Sequence, residues 1–224
     1  MINVIASNHT WHKDFVKSLS EITAGEFILI TNKDELTFEL LNKLQPRYIF
    51  FPHWSYIIPK EIYENFECII FHMTDVPYGR GGTPLQNLIA RGIYETKITA
   101  LRCEAELDAG QVYMKYPLSL YGTAEEIYIR AGRIIETMIV EMVSNKPAST
   151  PQEGEVVCFT RRKPQESDIS KLKELEQAFD YIRMLDAEGY PHAFLETDNL
   201  RFEFQRPSLK QGKIIADVVI TKKG

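Results

Sequence analysis

A histidine at the end of an apolar run is the residue in this sequence best placed to do chemistry. His72 follows Cys68-Ile69-Ile70-Phe71, a short and continuously apolar segment typical of a buried strand. The carboxyl ends of strands in open α/β sheets are where such proteins bind ligands. An imidazole there can hold an oxyanion or relay a proton near neutral pH. Taken alone, His72 could also be a hydrogen-bonded structural residue, so its role depends on its neighbours.

The loop after His72 has the composition of a turn that lies against a ligand. Its glycines allow the backbone to approach a bound molecule closely, and Pro77 and Pro84 stiffen it. Arg80 could bind a substrate phosphate or carboxylate, or it could donate hydrogen bonds to loop carbonyls that lack other partners. Thr83 followed by Pro84 predicts the start of a helix, with Thr83 as the N-cap.

The segment from Phe71 to Asn87 resembles the signature of the 10-formyltetrahydrofolate-dependent formyltransferases. That signature is an apolar strand carrying Asn-x-His, then a short loop, a proline, an Arg-Gly pair and a helix that starts with proline. A second segment, residues 106–113, is similar to the family's Leu/Val-Asp-x-Gly-x-Ile/Val element. Within the family, the likeness favours the branch that formylates nucleotide-linked amino sugars, in particular in pseudaminic acid pathways. The formylation domain of a linear gramicidin synthetase is also similar over residues 66–140.

The resemblance implies acyl transfer from a folate to an amine, which needs an oxyanion donor and a route for a proton. It assigns stabilisation of the oxyanion and proton relay to His72. It assigns orientation of that imidazole to Asp108, which by itself would be an ordinary turn former. The family asparagine falls on Ile70, which cannot donate a hydrogen bond. The oxyanion must therefore rely on Thr74, on a backbone amide or on water.

The resemblance also implies where the ligands bind. The expected cofactor is 10-formyltetrahydrofolate, the formyl donor, and no metal is expected. The residues assigned to the folate are Trp54, Ser55, Tyr56, Leu101, Cys103, Glu104, Glu106 and Asp108, although the two aromatic side chains could simply cover the end of the sheet. The residues assigned to the acceptor substrate are Pro77, Tyr78, Gly79, Arg80, Gly81, Gly82, Arg161 and Arg162.

The elements that must position these residues alternate between strands and helices. Strands are predicted at residues 2–6, 26–31, 48–51 and 67–71, with helices between them, one at 34–44. This alternation predicts an α/β fold with a Rossmann-like, doubly wound and mostly parallel sheet, the formyltransferase fold. The turn Ser7-Asn8-His9-Thr10 lacks Gly-x-Gly-x-x-Gly, so no dinucleotide site is expected there.

Later segments suggest a second, smaller region. Strands at 95–103 and 112–118 precede a helix at 123–143, which begins with a Thr123–Glu126 capping box. We predict a catalytic domain at 1–146, a linker at 147–155 and a small C-terminal α+β subdomain at 156–224 that borders the substrate site. The elements predicted within this subdomain are a strand at 156–159, a helix at 167–179 and strands at 200–205 and 214–220.

Composition limits the classes of function. The chain has 224 residues, of which 44% are hydrophobic, enough for a substantial core. A net charge of −5 argues against a general nucleic-acid binder. No apolar run is long enough for a membrane helix, no signal peptide is evident, and three scattered cysteines suggest a reduced, cytoplasmic protein. The expected partners are a nucleotide sugar and folate, without membrane or nucleic acid, and a homodimer is also expected.

These observations lead to one main expectation and two alternatives. The main expectation is an N-formyltransferase that acts on a nucleotide-linked amino-deoxysugar, such as a UDP-4-amino-4,6-dideoxy sugar of surface-glycan or pseudaminic acid biosynthesis. The first alternative is a formyltransferase that acts on an aminoacyl group carried by tRNA or by a carrier protein. The second, suggested by Ile70, is a non-catalytic module that binds folate or a nucleotide sugar.

Overall fold

The computed structural model of the protein describes residues 1–7, 13–23 and 25–223. The prediction that the turn after the first strand binds no dinucleotide rests mainly on residues 8–10, which lie outside these ranges. Within the described ranges the structure has eleven strands: β1 Ile2–Ala6, β2 Glu26–Ile30, β3 Ile49–Phe51, β4 Cys68–His72, β5 Tyr78–Gly81, β6 Glu95–Arg102, β7 Val112–Ser119, β8 Val157–Phe159, β9 Ala193–Glu196, β10 Leu200–Lys210 and β11 Lys213–Lys222.

Six of these strands form one sheet in the order β2-β1-β3-β4-β6-β7. The first four run parallel to their neighbours, whereas β6 is antiparallel to β4. The other sheets are a three-stranded one in the order β11-β10-β9 and a pair formed by β5 and β8. The predicted Rossmann-like α/β fold with a small C-terminal α+β region is therefore confirmed.

The described helices are α1 Lys13–Thr23, α2 Phe38–Leu44, α3 Lys60–Tyr63, α4 Pro84–Ile89, α5 Ala124–Asn145 and α6 Leu175–Arg183. The capping box at the start of α5 is present, because the Thr123 amide donates to the Glu126 carboxylate and the Glu126 amide donates to the Thr123 hydroxyl. The β5 strand was not predicted, since two of the four residues in its sequence, Tyr-Gly-Arg-Gly, are glycines, which are depleted in strands.

Two predicted helices differ from the observed ones. The helix predicted at 34–44 is divided into a 3₁₀ turn at Lys33–Glu35 and α2, because Asn32 and Thr37 each cap a separate segment. The helix predicted at 167–179 begins later, at Leu175. Asp168 has an extended backbone, and its carboxylate accepts from the Ser170 amide, which stabilises a turn instead.

The described chain divides into two compact units. The first comprises Met1–Arg80, Lys97–Pro117 and Ala131–Val157, and the second comprises Gly81–Thr96, Leu118–Arg130 and Cys158–Gly224. The units interleave along the sequence because β6, β7 and α5 each contribute residues to both. The boundaries predicted from sequence, with a linker at 147–155, follow chain order and stay a prediction.

The core of the first unit includes a cluster of buried apolar residues from the sheet and its helices. Val4, Phe51 and Ile62 belong to it, and Trp54 and Ile70 pack against it while only partly buried. In the second unit, the buried Arg183 guanidinium donates to the Asp180 carboxylate and to the carbonyls of Leu120 and Gly122. None of the helices in the described ranges has the length and apolarity needed to cross a bilayer.

The β4 strand should be sensitive to loss of packing at its buried residues. Ile69 is fully buried between β3 and β6, so Ile69→Ala removes apolar contacts and leaves a cavity. We expect a loss of about 2–5 kcal/mol in the free energy of unfolding, measured by urea denaturation. The matched control is Ile57→Ala, because Ile57 is 89% exposed and should change stability by less than about 0.5 kcal/mol. Equal losses in the two variants would contradict this account of the core.

Candidate active site

His72 and Asp108 lie together in the first unit, as the sequence motifs predicted. The Nδ1 atom of His72 is 3.5 Å from Oδ2 of Asp108, and both residues are only 8% exposed. His72 is the last residue of β4, where it pairs with Thr99 of β6, and Asp108 lies in the turn after β6. Asp108 has a left-handed backbone, with φ of 53°. The antiparallel pairing of the two strands is therefore what brings two residues 36 positions apart in sequence into contact.

The second ring nitrogen of His72 contacts the loop. Its Nε2 atom lies 2.7 Å from the Gly79 carbonyl oxygen, which also accepts a 3.2 Å hydrogen bond from the Thr74 hydroxyl. The Thr74 carbonyl in turn accepts from the Thr99 hydroxyl at 2.7 Å. Thr74 is therefore bonded at both its side chain and its backbone. Its predicted role as an oxyanion donor stays a prediction, and that role would require its hydroxyl to leave Gly79.

Arg80 is bonded within the first unit. Its guanidinium donates to the side-chain oxygen of Gln152 at 2.9 and 3.1 Å, and to the Glu106 carboxylate at 3.2 Å. The Gln152 amide then donates to the carbonyls of Asp108 and Gly110, both at 2.8 Å. These contacts support the structural interpretation of Arg80 over a contact with substrate. Sequence analysis missed Gln152, which falls in the predicted linker and belongs to no motif.

The Asp75 carboxylate and two lysines stabilise the start of the loop that follows His72. The Asp75 carboxylate accepts from Lys97 at 2.9 Å and from Lys115 at 2.5 Å, and Lys115 also donates to the Val76 carbonyl. Partial burial alone would raise the pKa of Asp75, but the hydrogen bonds from the two lysines outweigh this effect and lower the pKa below its usual value. The residues just after His72 are thus held by ionic hydrogen bonds that sequence analysis did not anticipate.

Two of the residues assigned to the folate, Trp54 and Tyr56, are aromatic side chains in contact with each other. Alternation along β4 places Ile70 and His72 on the same face, and Ile70 packs against the apolar cluster that also contacts Trp54. The indole nitrogen of Trp54 is buried and has no hydrogen-bond partner among the described residues. It could therefore donate to a bound molecule. Ring contact with Tyr56, at 5.2 Å between centroids, extends this aromatic surface.

The other residues assigned to the folate differ in their exposure to solvent and in whether their backbone groups are already hydrogen-bonded. Leu101 is fully buried in β6, opposite Ile70. The Cys103 amide already donates to the Cys68 carbonyl at 2.8 Å, so any contact of Cys103 with a pterin would come from its carbonyl. The remaining members of this group are exposed, namely Ser55, Glu104 and Glu106. Binding of a pterin by these residues stays a prediction.

The residues assigned to the acceptor fall in both units. In the first, Pro77 and Gly79 are buried, whereas Tyr78 is exposed. In the second, a Cβ atom on Gly81 would lie 2.4 Å from the Phe159 carbonyl oxygen, and one on Gly82 would lie 2.7 Å from the Cβ of Arg161. Glycine is therefore required at both positions by the close approach of the segment that carries Arg161.

The start of α4 differs in detail from the prediction. Pro84 occupies the first turn as predicted, but the side chain of Thr83 makes no capping hydrogen bond and its backbone is left-handed. The Thr83 hydroxyl instead accepts from the Arg162 amide at 3.0 Å and from the Asn87 side chain at 3.1 Å. The Arg162 guanidinium stacks over Tyr181 and donates to the Glu166 carbonyl. Arg161, in contrast, is exposed.

Among the described residues, no group of three His, Cys, Asp or Glu side chains is arranged to hold a metal ion. The three cysteines are unpaired, with Cys68 and Cys103 buried and Cys158 exposed.

Comparison with solved structures shows the family of the chain. A methionyl-tRNA formyltransferase from Clostridium thermocellum is 51% identical, covers 100% of both chains and superposes with a TM-score of 0.96. The chain belongs to the formyltransferase family. The predicted enzyme class is therefore confirmed at the level of the family. The predicted donor, 10-formyltetrahydrofolate, is confirmed at the same level.

Other formyltransferases give a consistent result. Residues 164–221 match the family model described as the C-terminal domain of methionyl-tRNA formyltransferase. The methionyl-tRNA formyltransferase of Rickettsia felis is 26% identical over 155 residues, which are 66% of this chain and 50% of that protein. The chain thus spans about half the length of the curated relatives it matches, or less.

More distant structures show the fold alone. HypX from Aquifex aeolicus, solved in complex with tetrahydrofolic acid, is 18% identical, with a TM-score of 0.71 over 92% of this chain and 37% of that chain. A sugar N-formyltransferase from Shewanella is 14% identical, with a TM-score of 0.70 over 97% of this chain and 96% of that chain.

The predicted sugar substrate is wrong. The 51% identity is to a methionyl-tRNA formyltransferase, and the C-terminal match is to a domain of the same enzyme. The formyltransferase motifs around His72 and Asp108 report the chemistry of the donor, so they could not distinguish one amine acceptor from another. A nucleotide-sugar partner is accordingly unsupported, as is the exclusion of nucleic acid from net charge. A homodimer and a cytoplasmic location stay predictions.

The thiols should differ sharply in reactivity. Burial, together with the nearby charges of Asp108 and Glu104, raises the pKa of Cys103 to about 11, so only about one thiol in a thousand is ionised at pH 8. Burial also raises the pKa of Cys68 well above its usual value. We expect iodoacetamide at pH 8 to alkylate the exposed Cys158 at least about 10-fold faster than either of these, as measured by peptide mass spectrometry. Cys158→Ser should abolish the fast labelling. Labelling of Cys103 at the rate of Cys158 would show that Cys103 is not shielded in solution.

Proposed function

We propose that this chain transfers the formyl group of 10-formyltetrahydrofolate to the amine of an aminoacyl group carried by tRNA, with methionyl-tRNA as the acceptor. The observation that carries the proposal is the 51% identity, over the full length of both chains, to a methionyl-tRNA formyltransferase. The match of residues 164–221 to the C-terminal domain of that enzyme supports the same acceptor.

The donor chemistry belongs to the first unit. When bound, 10-formyltetrahydrofolate supplies the formyl carbonyl that an amine attacks, and Trp54, Tyr56 and the residues after β6 would hold its flat ring system. The imidazole of His72 and the carboxylate of Asp108 are two groups that can take up and release a proton, and they lie 3.5 Å apart. Burial of the pair keeps competing water away and strengthens their electrostatic interaction. Ile70 provides apolar surface on the same face and donates no hydrogen bond.

The acceptor chemistry belongs to the C-terminal part of the chain, residues 156–224, for which we propose a role in binding the nucleic acid. The net charge of −5 conceals an uneven distribution. Residues 161–224 contain twelve Lys and Arg against eleven Asp and Glu, whereas residues 1–160 contain fourteen against twenty. Four cationic residues between β8 and α6 are exposed to solvent, namely Arg161, Lys163, Lys171 and Lys173. Exposed cations of this kind can contact phosphates.

A formyl-transfer assay with matched acceptors tests the proposal. The purified protein, with 10-formyltetrahydrofolate, is offered methionyl-tRNA, a second aminoacyl-tRNA, an aminoacyl carrier protein and an amino-sugar nucleotide, and products are detected by mass spectrometry. We expect a formyl mass increment on methionyl-tRNA. His72→Asn and Asp108→Asn should each lower kcat by about 10²–10⁴-fold, because each removes a proton-transfer group.

The control for these variants is Asp34→Asn, a change of the same chemistry at an exposed turn, which should keep the wild-type rate. A thermal unfolding midpoint within a few degrees of that of the wild type would show that a variant with a lower rate is still folded. Formylation of the carrier protein or the sugar, with methionyl-tRNA unchanged, would overturn the proposed acceptor. Wild-type turnover by His72→Asn would overturn the assigned catalytic pair.

Arg161 and Lys163 should contribute to binding of tRNA through its phosphates. Loss of a phosphate contact weakens binding uniformly and reduces its dependence on salt. We expect Arg161→Ala and Lys163→Ala each to raise the Kd for methionyl-tRNA by about 3- to 10-fold in filter binding. Each should also lower the slope of log Kd against log salt by about 1, without changing the KM for the donor. Lys43→Ala, at an exposed position of α2 in the first unit, is the control. Unchanged salt slopes in both variants would exclude these residues from the interface.

A further inference from the structure

The two nitrogens of His72 face different acceptors at different distances. Nε2 lies 2.7 Å from the Gly79 carbonyl oxygen, whereas Nδ1 lies 3.5 Å from the Asp108 carboxylate. A carbonyl oxygen can only accept a hydrogen bond, so the contact at 2.7 Å requires a hydrogen on Nε2. The contact at 3.5 Å is at the outer limit for a hydrogen bond and imposes no such requirement.

A neutral imidazole carries a hydrogen on one nitrogen only. We propose that the Gly79 carbonyl fixes neutral His72 as the Nε2–H tautomer, so that Nδ1, beside Asp108, is the nitrogen that gains and loses a proton. In the Ser-His-Asp arrangement the carboxylate accepts from Nδ1–H, and Nε2 takes up the proton. The roles of the two nitrogens are reversed in this protein. Gly79 is therefore a positioning residue that acts through its backbone.

The carbonyl of Gly79 is itself held in place by its loop. Lys115 bonds to Asp75 and to the Val76 carbonyl, and the Tyr78 amide donates to the Asp75 carbonyl at 3.2 Å. On the other side, the Pro77 carbonyl accepts from the Val157 amide at 3.1 Å. Gly79 is buried and has a φ of 82°, a conformation that residues with a Cβ atom rarely adopt. The Gly79 carbonyl also accepts from the Thr74 hydroxyl at 3.2 Å, so the shorter contact, with His72, gives a buried oxygen its second donor.

Nuclear magnetic resonance of protein labelled with ¹⁵N-histidine tests this tautomer directly. Long-range ¹H–¹⁵N correlation spectra distinguish a ring nitrogen that carries a hydrogen from one that does not. They are recorded on the free protein, without donor or acceptor, so the result does not depend on the proposed function. The signals of His72 are those missing from the His72→Asn variant. At a pH where His72 is neutral, we expect the hydrogen on Nε2 and the free lone pair on Nδ1. The opposite pattern would overturn the proposal.

The Gly79→Ala variant tests the role of the carbonyl. An alanine disfavours φ of 82°, which should rotate the carbonyl away and leave Asp108 as the stronger acceptor. We expect a measurable fraction of the Nδ1–H tautomer to appear, with a corresponding loss of Nε2–H. Gly189→Ala is the matched control, because Gly189 has a φ of 81° and an added Cβ atom would meet nothing within 4 Å. It should carry the same backbone strain and keep the tautomer of the wild type.

An unchanged tautomer in folded Gly79→Ala would show that the carbonyl does not set it. Should that variant fail to fold, Asp108→Asn gives an independent test. The proposal predicts that His72 keeps its hydrogen on Nε2 when the carboxylate is replaced. A change of tautomer in Asp108→Asn would assign control to Asp108 and overturn the proposal.

Discussion

Burial of the His72–Asp108 pair is the constraint that the neighbouring groups must satisfy. Buried polar groups are costly unless each finds a hydrogen-bond partner, and a buried carboxylate is especially so. The Gly79 carbonyl lies 2.7 Å from the imidazole, and the Gln152 side chain donates to the backbone carbonyl of Asp108 and so holds the turn that carries the carboxylate. The pair is therefore set among backbone and side-chain groups whose hydrogen bonds hold the Asp108 turn and place the Gly79 carbonyl beside the imidazole.

Two cationic side chains of the first unit, Arg80 and Lys115, bond to other protein groups. Arg80 and Lys115 both have the charge and reach to bind an anionic substrate. However, the first bonds to Gln152 and Glu106, and the second to Asp75 and the Val76 carbonyl. A loop rich in glycine and proline has few hydrogen bonds of its own, so long side chains from other segments must supply them. An arginine in such a loop is thus weak support for an anionic substrate.

Donor and acceptor chemistry depend on different parts of the sequence. The donor chemistry was implied by two short motifs, around His72 and Asp108, that resemble those of the formyltransferase family. We propose that recognition of the acceptor depends on the C-terminal part of the chain. Net charge averaged over the whole chain obscured the more basic composition of the last 64 residues. The sugar was inferred from the resemblance to one branch of the family, and that average was then wrongly used against a nucleic acid.

The sequence by itself determined the fold class, the strands of the main sheet, the position of His72 at a strand end and its pairing with Asp108. The fold class, the strands and the place of His72 follow from local periodicity, whereas the pairing with Asp108 was implied by the resemblance of two short motifs to those of the family. Only the tertiary structure decided which groups hold the segments around that pair in place. Gln152 lies 44 residues from Asp108, in a segment predicted to be a linker, and the register of β4 on β6 places Thr99 beside Thr74. Such partners are chosen by the pairing of distant segments, and no local pattern records which segments will meet.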